Sequence, residues 1–204
     1  LVTDAIEGHL PALPWRPDEL RLTLDALAGL RAVPAPPGMP SFVDQCAPIF
    51  DGWRSLVNGE RDVRGLDPWA REHLAWLGAL EERWPDALAG DVIVHGDVRA
   101  DNVIITPAGA VLVDWSGPGA GAPWADLVLF LPSAELAGAP ACEDVWAEHG
   151  PEVPGDALLV AVATMTGFFT SRSLDPAPPG LPTLRQSQAD QAVIAQRWLR
   201  ALLR

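Results

Sequence analysis

Between Val92 and Trp115 the chain reads VIVHGDVRADNVIITPAGAVLVDW, two short runs rich in Val and Ile on either side of a polar cluster. Runs of that length and composition read as strands. Thr106-Pro-Ala-Gly109 then joins Val103–Ile105 to Val111–Val113 with Pro second and Gly last, which fits a tight hairpin. A third strand is expected over Asp91–Val94, and an extended connector over Leu1–Ile6. Elsewhere the signal is helical. Leu20, Leu24, Leu27 and Ala28 recur at three and four within residues 18–30. Phe42 to Val57 reads as one helix bent near Pro48. Asp67-Pro68 opens a helix running to about Trp84 that buries Trp69, His73, Trp76, Leu77 and Leu80 and is ended by Pro85. Further helices are expected from Trp124 to a break at Pro132, from Cys142 to Glu148, from Ala157 to Phe169 and from Leu184 to Leu203, with Gly117–Gly121 as a flexible loop. The fold class this predicts is mainly α with a small β-hairpin region (α+β).

Composition narrows what such a fold can do. The chain has 204 residues, 49% of them hydrophobic, enough for one core. Only 14 Lys and Arg stand against 27 Asp and Glu, a net charge of −13, which argues against a nucleic acid partner. That field accommodates a cationic small molecule and equally serves as a solubilising surface. Cys46 and Cys142 have no metal-ligand spacing and form no disulfide framework, so a reducing, cytoplasmic setting is expected. No apolar stretch is long enough for a transmembrane helix, and no signal peptide is visible, so no membrane partner is expected. The chain starts on Leu1-Val2-Thr3 without Met and reads as cut from something longer.

The polar cluster is where chemistry is expected. Asp97 follows Gly96 just beyond a strand and can act as a base that orients a hydroxyl nucleophile, or as a turn residue capping its own backbone. Asn102 and Asp114 offer oxygen ligands of the kind Mg2+ prefers. Arg99 can face a transferring phosphoryl group or pair with a neighbouring acid. His95, preceded by Val92, Ile93 and Val94, reads as an orienter of the loop rather than a proton acceptor.

His95-Gly96-Asp97, four residues, Asn102, then Asp114-Trp115 resembles the catalytic loop of the aminoglycoside phosphotransferase family, within the protein-kinase-like fold. Gly96 where protein kinases have Arg, and Trp115-Ser116 where they have Phe-Gly, favour the small-molecule kinase branch. The resemblance implies Asp97 as the catalytic Asp, Arg99 facing phosphate, and Asn102 and Asp114 as ligands of Mg2+ and ATP. It implies Asp126-Leu127 as a structural brace of the loop. It makes residues 1–10 a hinge-like interlobe linker, with the Asp4 carbonyl and Ile6 amide facing adenine, and residues 11–204 a helical C-terminal lobe carrying catalytic loop 95–102 and Asp114. The family's β-rich N-terminal lobe, with its Lys–Glu pair, is not represented, and the chain contains no Lys at all.

The implied activity is ATP- and Mg-dependent transfer of a phosphoryl group to a hydroxyl of a small molecule, weak or absent in this fragment alone. The acceptor would lie against Trp124, Trp146, Glu148, His149 and Phe168, although core packing explains Phe168 as well. Two alternatives remain: a non-catalytic kinase-like binding or scaffold protein, and a metal-dependent phosphoester hydrolase using Asp97, Asp114 and His95.

Overall fold

A computed structural model describes residues 5–204, so Asp4, one of the two positions expected to face adenine, lies outside the described residues. The chain divides into two compact units, the first Leu1–Pro40 with Gly90–Gly150, the second Ser41–Ala89 with Pro151–Arg204. It is mainly helical, with small antiparallel pairs as its only sheets among the described residues.

In the first unit, α1 (Pro17–Leu30) starts on Pro at its first turn, with Asp18 and Glu19 placed where the helix dipole favours acids. Its Leu20, Leu24 and Leu27 are buried, and the helix packs on the hairpin that carries the site. Buried Glu19 accepts the Ala12 N–H at 2.7 Å, which holds the preceding loop against the helix. Strand β1 (Val92–Val94) precedes the hairpin of β2 (Val103–Thr106) and β3 (Gly109–Leu112). Val103 faces Leu112 and Thr106 faces Gly109, as a tight turn requires. The Thr106 hydroxyl closes that turn, donating to Gly109 O at 2.9 Å and accepting from Ala108 N at 3.1 Å.

Gly119–Gly121 is not the loop its composition suggests. It is strand β4, antiparallel to β1, with Val92 opposite Gly121. A run of Gly and Ala carries no alternation of apolar and polar side chains, so its strand character comes entirely from its partner. The small residues also permit a close approach: a Cβ on Gly90 would lie 2.2 Å from Gly121 O. Helix α7 (Ala125–Leu136) runs through Pro132 rather than ending there, with Val128, Phe130, Leu131 and Ala134 all buried around it. Burial of that face outweighs the one backbone bond Pro removes. Helix α8 (Cys142–His149) completes the unit, and Arg31 at the end of α1 donates to His149 O at 2.9 Å.

In the second unit, the helix expected over residues 42–57 is two helices. These are α2 (Phe42–Cys46), capped by the Ser41 hydroxyl, and α3 (Gly52–Val57). Pro48 has no N–H to carry the ladder across. The helix expected to run to Trp84 also splits, into α4 (Pro68–Glu72) and α5 (Leu74–Glu81), at His73 with φ −100° and ψ 10°. Pro85 does not simply end it, because it sits in the first turn of α6 (Trp84–Leu88). The expected buried stripe is real at Leu77 and Leu80, but Trp76 is 39% exposed. Trp69, His73 and Trp76 instead form a surface aromatic cluster, with the His73 ring stacked 4.6 Å from that of Trp69. The Arg200 guanidinium lies 5.2 Å from the Trp69 ring centre.

Helices α9 (Ala157–Ser173) and α10 (Leu184–Ala201) form the rest of this core. Helices α3 and α9 meet at glycines: a Cβ on Gly52 would lie 2.1 Å from Gly167 backbone atoms. That contact lets fully buried Trp53 donate its indole N–H to Ala163 O at 2.8 Å.

Fully buried Glu81 accepts the backbone N–H groups of Trp53 at 3.0 Å and Arg54 at 2.9 Å, satisfying the open start of α3. Burial pushes its carboxyl up to about 7, against those two bonds and the Arg54 charge. An acid whose folded pKa is raised holds a proton that the unfolded chain has lost. Stability should therefore fall as pH rises from 4.5, its ordinary value, to about 7. In Glu81→Gln, thermal melts across that window should show a flatter pH profile than wild type, by a few kcal/mol at most. Parallel wild-type and variant profiles would show that the proton is not there.

Candidate functional site

The polar cluster of the first unit is organised by one buried carboxylate. Asp126, in the first turn of α7, accepts the backbone N–H of His95 and that of Gly96, each at 2.8 Å. Burial raises its pKa while the two N–H bonds pull it down. The geometry needs Gly at position 96, whose φ is +82°, a region that costs an L side chain roughly 1–2 kcal/mol. The loop then turns back on itself. Asp97 N donates to His95 Nδ1 at 3.3 Å, and the His95 Nε2–H donates to Val113 O at 2.8 Å. Both ring nitrogens of His95 are thereby used, and the ring is 2% exposed. It orients the loop, and no ring lone pair is left for a metal.

Through Val113 the loop is tied to the end of the hairpin. Val113 N donates to Asn102 O at 3.0 Å. The Asn102 side chain, 7% exposed, donates from Nδ2 to Asp97 O at 2.8 Å and to Asp97 Oδ2 at 3.3 Å. Its Nδ2 is thus spent within the loop, and its Oδ1 accepts no hydrogen bond from any described residue. The next residue, Asp114, has φ +61°, the only positive φ outside glycine among the described residues. Such backbone strain persists where the surroundings impose it. Here the imposing neighbours are Val113, bonded on both sides, and Trp115, whose ring lies 4.5 Å from that of His95 and whose Nε1–H donates to Leu112 O at 2.9 Å.

Asp97 and Asp114 are both exposed; Asp97 is held by buried His95 and Asn102, while Asp114 sits between half-buried Val113 and exposed Trp115. Arg99 is forked onto Asp101, Nε to Oδ1 at 3.0 Å and Nη2 to Oδ2. That pair holds the guanidinium pKa above its ordinary value, and the charges of Asp97 and Asp114 add to it. One cation therefore stands in the field of three carboxylates. Pairing with a neighbouring acid was one of the two readings of Arg99, and Asp101 is that acid. Opposite charges two apart in a tight loop were the available signal.

Ile6 is 42% exposed. Just after it, His9 and Ile105 exchange backbone bonds of 3.0 and 2.8 Å, which ties the first described residues to β2. Gly8 is required there, since a Cβ would fall 2.4 Å from Ile105 O. The residues suggested as acceptor walls differ in their surroundings. Trp124 is buried, with no acceptor for its indole N–H. The Trp146 ring packs beneath Gly150. Glu148 and His149 line a cavity that the loop does not share. Phe168 packs on Phe50, ring centres 5.9 Å apart, in the second unit.

Among the described residues, no three His, Cys, Asp or Glu side chains are grouped to hold a metal ion. Asn102 and Asp114 are a pair of oxygen donors. This fits Mg2+, which takes one or two protein oxygens and completes its shell with water and phosphate.

A buried acid clamping a His-Gly-Asp turn, an Asn bonded to that Asp, and a strained Asp after a hairpin define a kinase-like phosphotransferase fold. The chain belongs to the phosphotransferase enzyme family, which it matches over residues 4–165. Among solved structures it is similar to choline kinase LicA from Streptococcus pneumoniae, with a TM-score of 0.53 and 14% identity over 90% of this chain. It spans 64% of that protein's length. It is also similar to a spectinomycin phosphotransferase in complex with ADP and spectinomycin, with a TM-score of 0.51 and 14% identity over 92% of this chain and 68% of the other. A third is a thermostable aminoglycoside phosphotransferase mutant, with a TM-score of 0.52 and 15% identity over 96% of this chain and 69% of the other. At such identities the likeness is one of fold. No curated protein matches the chain, and no described helix is long and apolar enough to cross a membrane.

Removing the clamp tests this architecture. Asp126→Ala leaves two buried N–H groups unpaired, at a cost of about 1–3 kcal/mol each. Amide exchange at His95 and Gly96 should accelerate by at least tenfold more than at Leu77. Uniform acceleration across both units would mean that Asp126 supports the whole fold rather than the loop.

Proposed function

We propose that this protein transfers the terminal phosphoryl group of ATP to a hydroxyl of a small molecule. The observation that carries the reading is the Asn102 side chain. Its amide nitrogen is committed to Asp97, so its free oxygen and the strained Asp114 are two oxygen donors linked through Val113. In this reading Asn102 and Asp114 would hold Mg2+, which would supply positive charge to neutralise the phosphates. Asp97, held by Asn102 and its own N–H, orients the acceptor hydroxyl and takes its proton. Arg99 leaves Asp101 for the incoming phosphate. An exposed pair of this kind is worth only about 0–1 kcal/mol, so the exchange is cheap. The hinge-like residues 1–10 bring the Asp4 carbonyl and the Ile6 amide to the adenine. The tie between His9 and Ile105 holds the end of that segment against β2, which suits the Ile6 part of this reading. Residues 11–204 then act as the catalytic lobe, and the acidity of the chain suits a cationic acceptor.

His95 favours this reading over a metal-dependent phosphoester hydrolase, because both of its ring nitrogens are engaged within the loop. Retention of Asp97, Asn102 and Asp114 together favours it over a binding scaffold, which has no need of all three.

Calorimetric titration of the chain with ATP, with and without Mg2+, is the direct test. Saturable, Mg-dependent binding is expected, lost in Asn102→Ala and kept in Asp97→Asn. In a transfer assay with choline and spectinomycin as first acceptors, Asp97→Asn should lower the rate about 10²–10⁴-fold. Binding that is indifferent to Asn102, or ATP hydrolysis at the same rate without any acceptor, would refute the assignment.

A further inference from the structure

The first unit holds a cavity of about 540 Å³ that shares no residue with the Asp97 loop. One wall is the face of α1 that carries Leu20, Arg21 and Leu24. The other is the face of α8 that carries Asp144, Val145 and Glu148, and Trp15 also lines it. A space of that size takes a small organic molecule.

Its chemistry is specific. Trp15, Leu20, Leu24 and Val145 are all buried and provide an apolar floor. Asp144 and Glu148 stand one turn apart on α8, so their carboxylates share a face and repel each other. Glu148 also lies in the last turn of the helix, where the dipole disfavours an acid. The dipole favours Asp144 in the first turn, but no guanidinium among the described residues is paired with either acid. The Asp144 carboxylate has no partner among the described residues, and Glu148 has only His149, at 3.6 Å. Arg21, the one guanidinium on the walls, is engaged with Asp25 at 3.5 Å. The other independent feature is Trp15. It is 6% exposed, packs edge-on against Phe130 at 5.8 Å, and has no acceptor for its indole N–H. Its ring lines the cavity, so it senses what enters.

We propose that this cavity is a binding site for a small amphipathic amine. Its apolar body lies on Trp15, Leu20, Leu24 and Val145. Its ammonium sits between Asp144 and Glu148 and removes their repulsion. The site is independent of phosphoryl transfer, since none of its residues belongs to the catalytic loop.

Tyramine and 4-ethylphenol are a matched pair of probes, alike except for the amine. The Trp15 indole N–H signal in a nitrogen-15 NMR spectrum, assigned by its loss in Trp15→Phe, reports on this cavity alone. Tyramine should move that signal saturably, and 4-ethylphenol should bind about tenfold more weakly or worse. In the double variant Asp144→Asn/Glu148→Gln, confirmed as folded by circular dichroism, the preference for tyramine should disappear. In Asp97→Asn it should persist. An unmoved Trp15 signal, equal responses to the two probes, a preference that survives the double variant, or one abolished by Asp97→Asn would each overturn the proposal.

Discussion

The site depends on the bond pair from the His95 and Gly96 amides to the buried Asp126 carboxylate. Desolvating a carboxylate is costly, and only strong hydrogen bonds make it tolerable. Two backbone donors at 2.8 Å supply them, and in exchange the carboxylate holds the turn in one shape. From there the constraint passes outward. The His95 ring reaches Val113, Val113 reaches Asn102, and Asn102 reaches back to Asp97. The buried members of this circuit, His95 and Asn102, hold the exposed Asp97, and half-buried Val113 fixes the backbone that leads into exposed Asp114. Polar groups that must meet a reactant in water are pre-oriented in this way without being buried themselves.

The second unit is built on a different principle. Its centre is a close helix contact at Gly52 and Gly167, with Trp53 filling the space beside it and Glu81 closing the start of α3. Neither glycine tolerates a Cβ, because backbone or a buried ring occupies the position. The buried charge is again a carboxylate on backbone N–H groups, as at Asp126. Both units thus use an acid to complete backbone that has no ladder partner, one at a loop and one at a helix end.

Much of the fold was legible in the sequence where a local rule has one answer. Leu20, Leu24 and Leu27 marked α1 within a residue, and the Thr106–Gly109 turn placed the hairpin. The spacing of Asp97 and Asn102 put them in one loop, where the structure joins them by a hydrogen bond. The misreadings are those for which the deciding partner lies far along the chain. Gly119–Gly121 pairs with a strand whose register no side chain announces. His73 interrupts its helix while its ring stacks on Trp69, which moves Trp76 from the core to the surface. Pro132 is tolerated because its neighbours are buried, and no local propensity records that.

By itself the sequence determined the mainly helical class, the hairpin, the family resemblance and the residues able to carry chemistry. These follow from periodicity, turn stereochemistry and side-chain type, all of which act over a few residues. Only the tertiary structure decided which atoms of those residues are free. It engages both nitrogens of His95, commits the Asn102 amide nitrogen while leaving its oxygen, bends Asp114 into a positive φ and forks Arg99 onto Asp101. The reason is that hydrogen-bond capacity is shared among groups that meet only after folding. Residue identity sets what a side chain can do, and its neighbours in space set what it has left to do it with.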